Sequence, residues 1–144
     1  MIEQDTVKLL RECDAGIKMG VSSIDDVLDY VKSDRLKKDL EDSKEEHKKL
    51  DKELQELLDR YRDDGKEPNP MAKGMSWMKT NVMFAMNDSD HTVADLITDG
   101  CNMGVKSLHK YLNQYQAADE ASKNICKHLA LIEEQLCQQI RCYL

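Results

Sequence analysis

The sequence predicts an all-α, antiparallel four-helix bundle built from two similar helical hairpins. Three observations carry this. Apolar side chains recur at steps of three and four along four long segments, the spacing of one helix face. The 144 residues contain only two prolines, both between residues 63 and 70. A nine-residue pattern also recurs. Residues 16–24 read Gly-Ile-Lys-Met-Gly-Val-Ser-Ser-Ile, and residues 100–108 read Gly-Cys-Asn-Met-Gly-Val-Lys-Ser-Leu.

The first helix is expected over residues 4–31, on a seam of Leu10, Cys13, Ile17, Gly20, Ile24, Val27 and Val31. Ser33 then stands as an N-cap, its hydroxyl able to accept from an unpaired N–H of the next helix. The second helix is expected over 34–63, on Leu36, Leu40, Ser43, His47, Leu50, Leu54, Leu57 and Tyr61. Its other faces are densely charged, with acids four residues before bases (Asp34/Lys38, Glu45/Lys49, Glu56/Arg60), the favourable order for a solvated helix face. So short a connection makes these two helices an antiparallel hairpin, about 4–63.

Gly65, Pro68 and Pro70 end that hairpin. The crossover, 64–89, holds a short amphipathic helix expected over 71–86. Met71, Met75, Met78, Val82 and Met86 form its stripe, with Trp77 beside it. Met-rich faces adapt to varied contacts, so these residues are the interface candidate; packing across the bundle is the plainer use. With Lys73 and Lys79 as its charges up to Met86, the segment also suits peripheral contact with a membrane, the least favoured of the three uses. Asn87-Asp88-Ser89-Asp90 is a capping cluster. A third helix follows over about 90–115 on Ala94, Ile97, Cys101, Gly104, Leu108, Leu112 and Tyr115. A fourth runs over about 118–143 on Ala121, Ile125, His128, Ile132, Leu136 and Ile140. Together they make a second hairpin, about 90–143, and residues 1–144 read as one domain.

The glycines of the repeat, Gly16 with Gly20 and Gly100 with Gly104, are 84 positions apart (100 − 16, 104 − 20). A mid-helix glycine costs about 0.5–1 kcal/mol relative to alanine, so something must offset four of them. Small residues four apart flatten a helix face and let a neighbour approach closely. Helix packing is the expected use, since a gap in a core is normally filled.

Composition excludes several functions. A net charge of −7 with no basic cluster disfavours nucleic acid or an anionic surface as partner. The first residues, Met1 to Asp5, are acidic where a signal peptide would be basic, and no run of about 18 apolar residues exists to span a bilayer. A cytoplasmic protein is expected. Its five cysteines, Cys13, Cys101, Cys126, Cys137 and Cys142, include no Cys-x-x-Cys and are expected as reduced thiols, four within helices and Cys142 at a frayed end. No phosphate loop, nucleophile–base motif or paired catalytic carboxylates occur. Asp25-Asp26 and Glu133-Glu134 are adjacent acids that point to different helix faces.

Four helices with a long middle link resemble the ferritin-like superfamily. More narrowly, Asp95 to Gly104, continuing to Leu108, Tyr111 and Leu112, is similar to the third helix of uncharacterised bacterial ferritin-like domains, and Cys13-Asp14-Ala15-Gly16 to their first. The resemblance implies a di-metal centre, for which ferritin-like oxidases use a Glu from each of two helices and a Glu-x-x-His from each of the other two. This chain departs from that pattern. His47 and His128 lie on their seams, but Lys44 and Ile125 stand three residues before them. Asp14, Asp95 and Asp99 are shorter than Glu and mostly off the seam. A carboxylate-bridged metal pair is therefore not expected, and no cofactor is assigned. His47 and His128 are read first as hydrogen-bonded core residues. The alternative is a degenerate transition-metal or redox site in which Cys13 or Cys101 assists them. The leading expectation is a non-enzymatic bundle that acts through protein contacts, as a homodimer or with another protein.

Overall fold

The computed structural model describes residues 2–68 and 89–144. Among these residues there are four α-helices and no strand. They are α1 (Ile2–Leu28), α2 (Asp34–Arg60), α3 (Asp90–Gln114) and α4 (Glu120–Gln139), followed by a 3-10 turn, Arg141–Tyr143. No helix among them is long and apolar enough to cross a membrane. The Met-rich segment expected to form a helix over 71–86, with Met71, Met75, Trp77, Met78, Val82 and Met86, lies outside the described residues.

The helix starts follow from local chemistry. Ser33 Oγ accepts from Leu36 N–H at 3.2 Å, Ser89 Oγ from Thr92 N–H at 3.3 Å, and Asp119 Oδ1 from Ser122 N–H at 2.8 Å. Each hydroxyl or carboxylate satisfies an amide that has no partner within its own helix.

Two sets of contacts tie distant parts of the chain. At one end the backbone N–H groups of Lys32 and Ser33 donate to Asp90 at 2.8 and 3.1 Å, joining the α1–α2 turn to the start of α3. At the other, Asp5 accepts from Ala117 N–H at 3.0 Å and Thr6 Oγ1 from Asp119 N–H at 2.8 Å, joining the start of α1 to the α3–α4 turn. Between α1 and α2, Asp14 meets Gln55, Gly20 meets His47 and Asp25 meets Lys44.

Apolar burial falls into two clusters. One contains Leu9, Leu10, Cys13, Ile17, Leu50, Leu54, Leu58, Leu108, Ile125 and Leu129. The other contains Ile24, Val27, Leu36, Leu40, Val93, Ile97, Cys101, Leu136 and Ile140. The seam of α4 differs from the sequence expectation. Ala121 and His128 are exposed, and the buried line runs through Ser122, Ile125, Cys126, Leu129, Ile132, Glu133 and Leu136. From Ile125 both His128 and Leu129 lie at allowed helical steps, and the more apolar leucine takes the core position.

Candidate functional site

The two apolar clusters are separated by a polar layer, and the break falls at a matching height on all four helices. On α1 it falls between Ile17 and Ile24, at Gly20. On α2 it falls between Leu40 and Leu50, at Ser43 and His47. On α3 it falls between Cys101 and Leu108, at Gly104. On α4 it falls between Ile132 and Leu136, at Glu133.

His47 is 1% exposed. Its Nδ1–H donates to the carbonyl oxygen of Ser43 at 2.7 Å, which makes Nε2 the lone-pair nitrogen of the neutral ring. Burial lowers the pKa of this histidine below its ordinary value, because the charged ring would lose its hydration. The ring approaches α1 at Gly20, where a methyl group would come within 2.7 Å of Nε2 and 2.9 Å of Cδ2.

Glu133 is 7% exposed. It sits over Gly104, where a Cβ would come within 2.1 Å of its Oε2. Burial alone raises its pKa to about 8, so the carboxyl keeps its proton at neutral pH. The layer thus holds a neutral base on α2 and a neutral acid on α4, each facing a glycine on another helix.

Neither group is fully satisfied. Among the described residues the buried side-chain atoms without a hydrogen-bond partner are Ser43 Oγ, His47 Nε2, Thr98 Oγ1 and Glu133 Oε2. Each such atom costs about 1–3 kcal/mol when it leaves water. Three of the four belong to this layer.

The thiols are free, four of them buried and Cys142 exposed. Cys101, on α3 beside Glu133, has its thiol pushed far up by burial and by the neighbouring Glu133 and Cys137. Cys13 is likewise pushed up, by a hydrogen bond with Cys126 and by burial. Thiols held protonated are poor nucleophiles and poor metal ligands. Among the described residues no three His, Cys, Asp or Glu side chains converge to hold a metal ion.

The residues singled out in the sequence are therefore only partly brought together. His47 is in the layer and Cys101 borders it. Cys13 is in the first apolar cluster, against Cys126. His128 is exposed, in a groove between α2 and α4 with Glu53, Glu56 and Asn124, and does not join His47 in the core. Of the repeat glycines, Gly20 and Gly104 seat His47 and Glu133. Gly16 faces Leu129 Cδ2 at 3.3 Å, and Gly100 has nothing within 4 Å.

Glu133 is the residue that sequence reasoning missed. It lies four residues after Leu129 and four before Cys137, in line with buried positions. Its neighbour Glu134 is exposed, so the two acids do face different ways.

Asp14, also dismissed, is fully buried but satisfied. Its carboxylate accepts from Gln55 at 3.0 Å, from Lys18 at 3.0 Å and from the backbone N–H of Lys66 at 2.9 Å. Gly65, at φ +83°, makes room for it, since a Cβ there would come within 2.1 Å of Oδ2. This carboxylate clamps the chain that leaves α2 onto α1. Compared with protein-family models, with curated proteins and with solved structures, the chain matches none of them.

Proposed function

We propose that this protein is a non-enzymatic, ferritin-like helical bundle that acts through protein–protein contacts, with a second copy of itself as its first partner. The observation that carries the non-metal part is the polar layer. A di-metal bundle needs inward carboxylates from all four helices at one height. Here α2 contributes His47 and α4 contributes Glu133, while α1 and α3 present Gly20 and Gly104 to them.

The ferritin-like topology rests on the end contacts. The α1–α2 turn meets the start of α3, and the start of α1 meets the α3–α4 turn. These contacts support antiparallel pairing within each hairpin. The glycine seats on α1 and α3 support two related hairpins. The contact role rests on the apolar stripe Met71, Met75, Met78, Val82 and Met86 in the sequence.

One observation favours a second reading. His47 Nε2 and Glu133 Oε2 are unpartnered, so a degenerate metal site would run through them and not through His128.

Elemental analysis of untagged protein purified without chelator, with mass from light scattering in the same run, tests both readings. The expected result is no stoichiometric metal and the mass of a dimer. One or two transition-metal ions per chain, lost in His47→Ala, would replace the proposal with the second reading. A metal-free monomer would end the self-association part.

A further inference from the structure

We propose that Glu133 is a proton-operated latch on the α3–α4 seam, closed while its carboxyl keeps its proton and released when the proton leaves. The side chain is buried, its Oε2 has no partner among the described residues, and the backbone it covers is a glycine. A neutral carboxyl tolerates that position. A carboxylate there faces no cation among the described groups around it, and burying an uncompensated charge is far more costly than burying the acid.

The groups that face it offer no positive charge. From α3 it meets Gly104 and Cys101, whose thiol is held protonated, and Cys137 lies on its own helix. From α2 the titratable group in the layer is His47, which burial holds neutral. From α1 the layer holds Gly20, and the nearest cation along that helix, Lys18, is bound to Asp14 and Glu67. The raised pKa of Glu133, to about 8, has burial as its cause.

A way out exists. Gly100 lies one turn before Gly104, about 40° around α3 by helical geometry. It is exposed, with nothing within 4 Å of the position a side chain would take. An ionised Glu133 can swing along this bare strip to water and leave the seam between α3 and α4 unfilled. The reaction is a proton transfer to solvent and needs no co-reactant.

Cysteines report on the latch. Cys101 and Cys137 lie together next to Glu133, in the apolar cluster on one side of the layer, Cys13 and Cys126 are buried in the other apolar cluster, and Cys142 is exposed. The full-length protein is treated with a water-soluble aromatic disulfide at about pH 6.5 and about pH 8.5, either side of the Glu133 titration. Labelling at each cysteine is read by peptide mass and divided by that of Cys142, which removes the intrinsic rise in thiolate. The expected result is about a 25-fold rise at Cys101 and Cys137, in proportion to the ionised fraction for a pKa of about 8. No such rise is expected at Cys13 or Cys126, nor anywhere in Glu133→Gln. Glu133→Leu, which cannot ionise either, should behave as Glu133→Gln does. Equal ratios at both pH values in the wild-type chain would overturn the proposal. So would the same rise in either variant, or a parallel rise at Cys13, which would mean that the whole fold opens.

Discussion

The α1–α2 pair and the α3–α4 pair use one backbone device for opposite chemistry. In the first, α1 opens a seat at Gly20 and a histidine from α2 fills it. In the second, α3 opens a seat at Gly104 and a glutamate from α4 fills it. Both occupants are held neutral by burial, the base by a lowered pKa and the acid by a raised one. The companion glycines differ more. Gly16 is packed against Leu129, whereas Gly100 faces open space. A pair of glycines four residues apart is thus not a packing element in itself. What decides its role is the side chain that arrives from the facing helix.

Substitutions can sharpen that difference. The largest effect is expected from Gly20→Ala, because the added methyl meets a rigid ring with no free direction. Overpacking of this kind costs about 1–3 kcal/mol, readable as a lower urea midpoint at an unchanged slope.

Next comes pH. The folded-state pKa of Glu133 is raised, so its contribution is fully present below the ordinary glutamate value and is lost as pH rises through about 8. His47 is lowered, so its contribution is present above the ordinary histidine value and is lost as pH falls through the folded one. Above about pH 7.5, a unit beyond the ordinary histidine value, the histidine is neutral in both states. Stability should then fall toward pH 8 by up to ~1.4 kcal/mol per unit, and Glu133→Gln should flatten that fall. Urea titrations at several pH values check both statements.

Gly104→Ala should cost less than Gly20→Ala, about 1 kcal/mol, because a flexible carboxyl can turn aside. The smallest effect reverses sign. Gly100→Ala adds a methyl in open space and removes a mid-helix glycine, so a gain of about 0.5–1 kcal/mol in thermal or urea unfolding is expected.

Much of the fold was legible in the sequence because helix formation is largely local. The three-and-four spacing located all four helices, Ser33 caps α2 as expected, and Ser89, one of the expected capping cluster, caps α3. His47 stood on a clean seam and is buried. The errors lie where burial depends on a distant partner. Asp14 is satisfied by Gln55 and Lys66, both far along the chain, and no pattern around Asp14 announces them. The sequence puts Glu133 and Glu134 on different helix faces but does not mark Glu133 as buried, since carboxylates are rarely buried unpaired. Its seat on α3 is visible only once α3 and α4 are packed. His128 was given a core place that Leu129, one residue on, fills better.

The most direct test of the seated layer is a double-mutant cycle between Gly20→Ala and His47→Ala by urea unfolding. If Gly20 exists to receive His47, the glycine substitution destabilises the wild-type chain yet is neutral or stabilising in the His47→Ala background, with a coupling of about 1–3 kcal/mol. An equal cost in both backgrounds would mean that the glycine serves something else, and the account of the layer would fail.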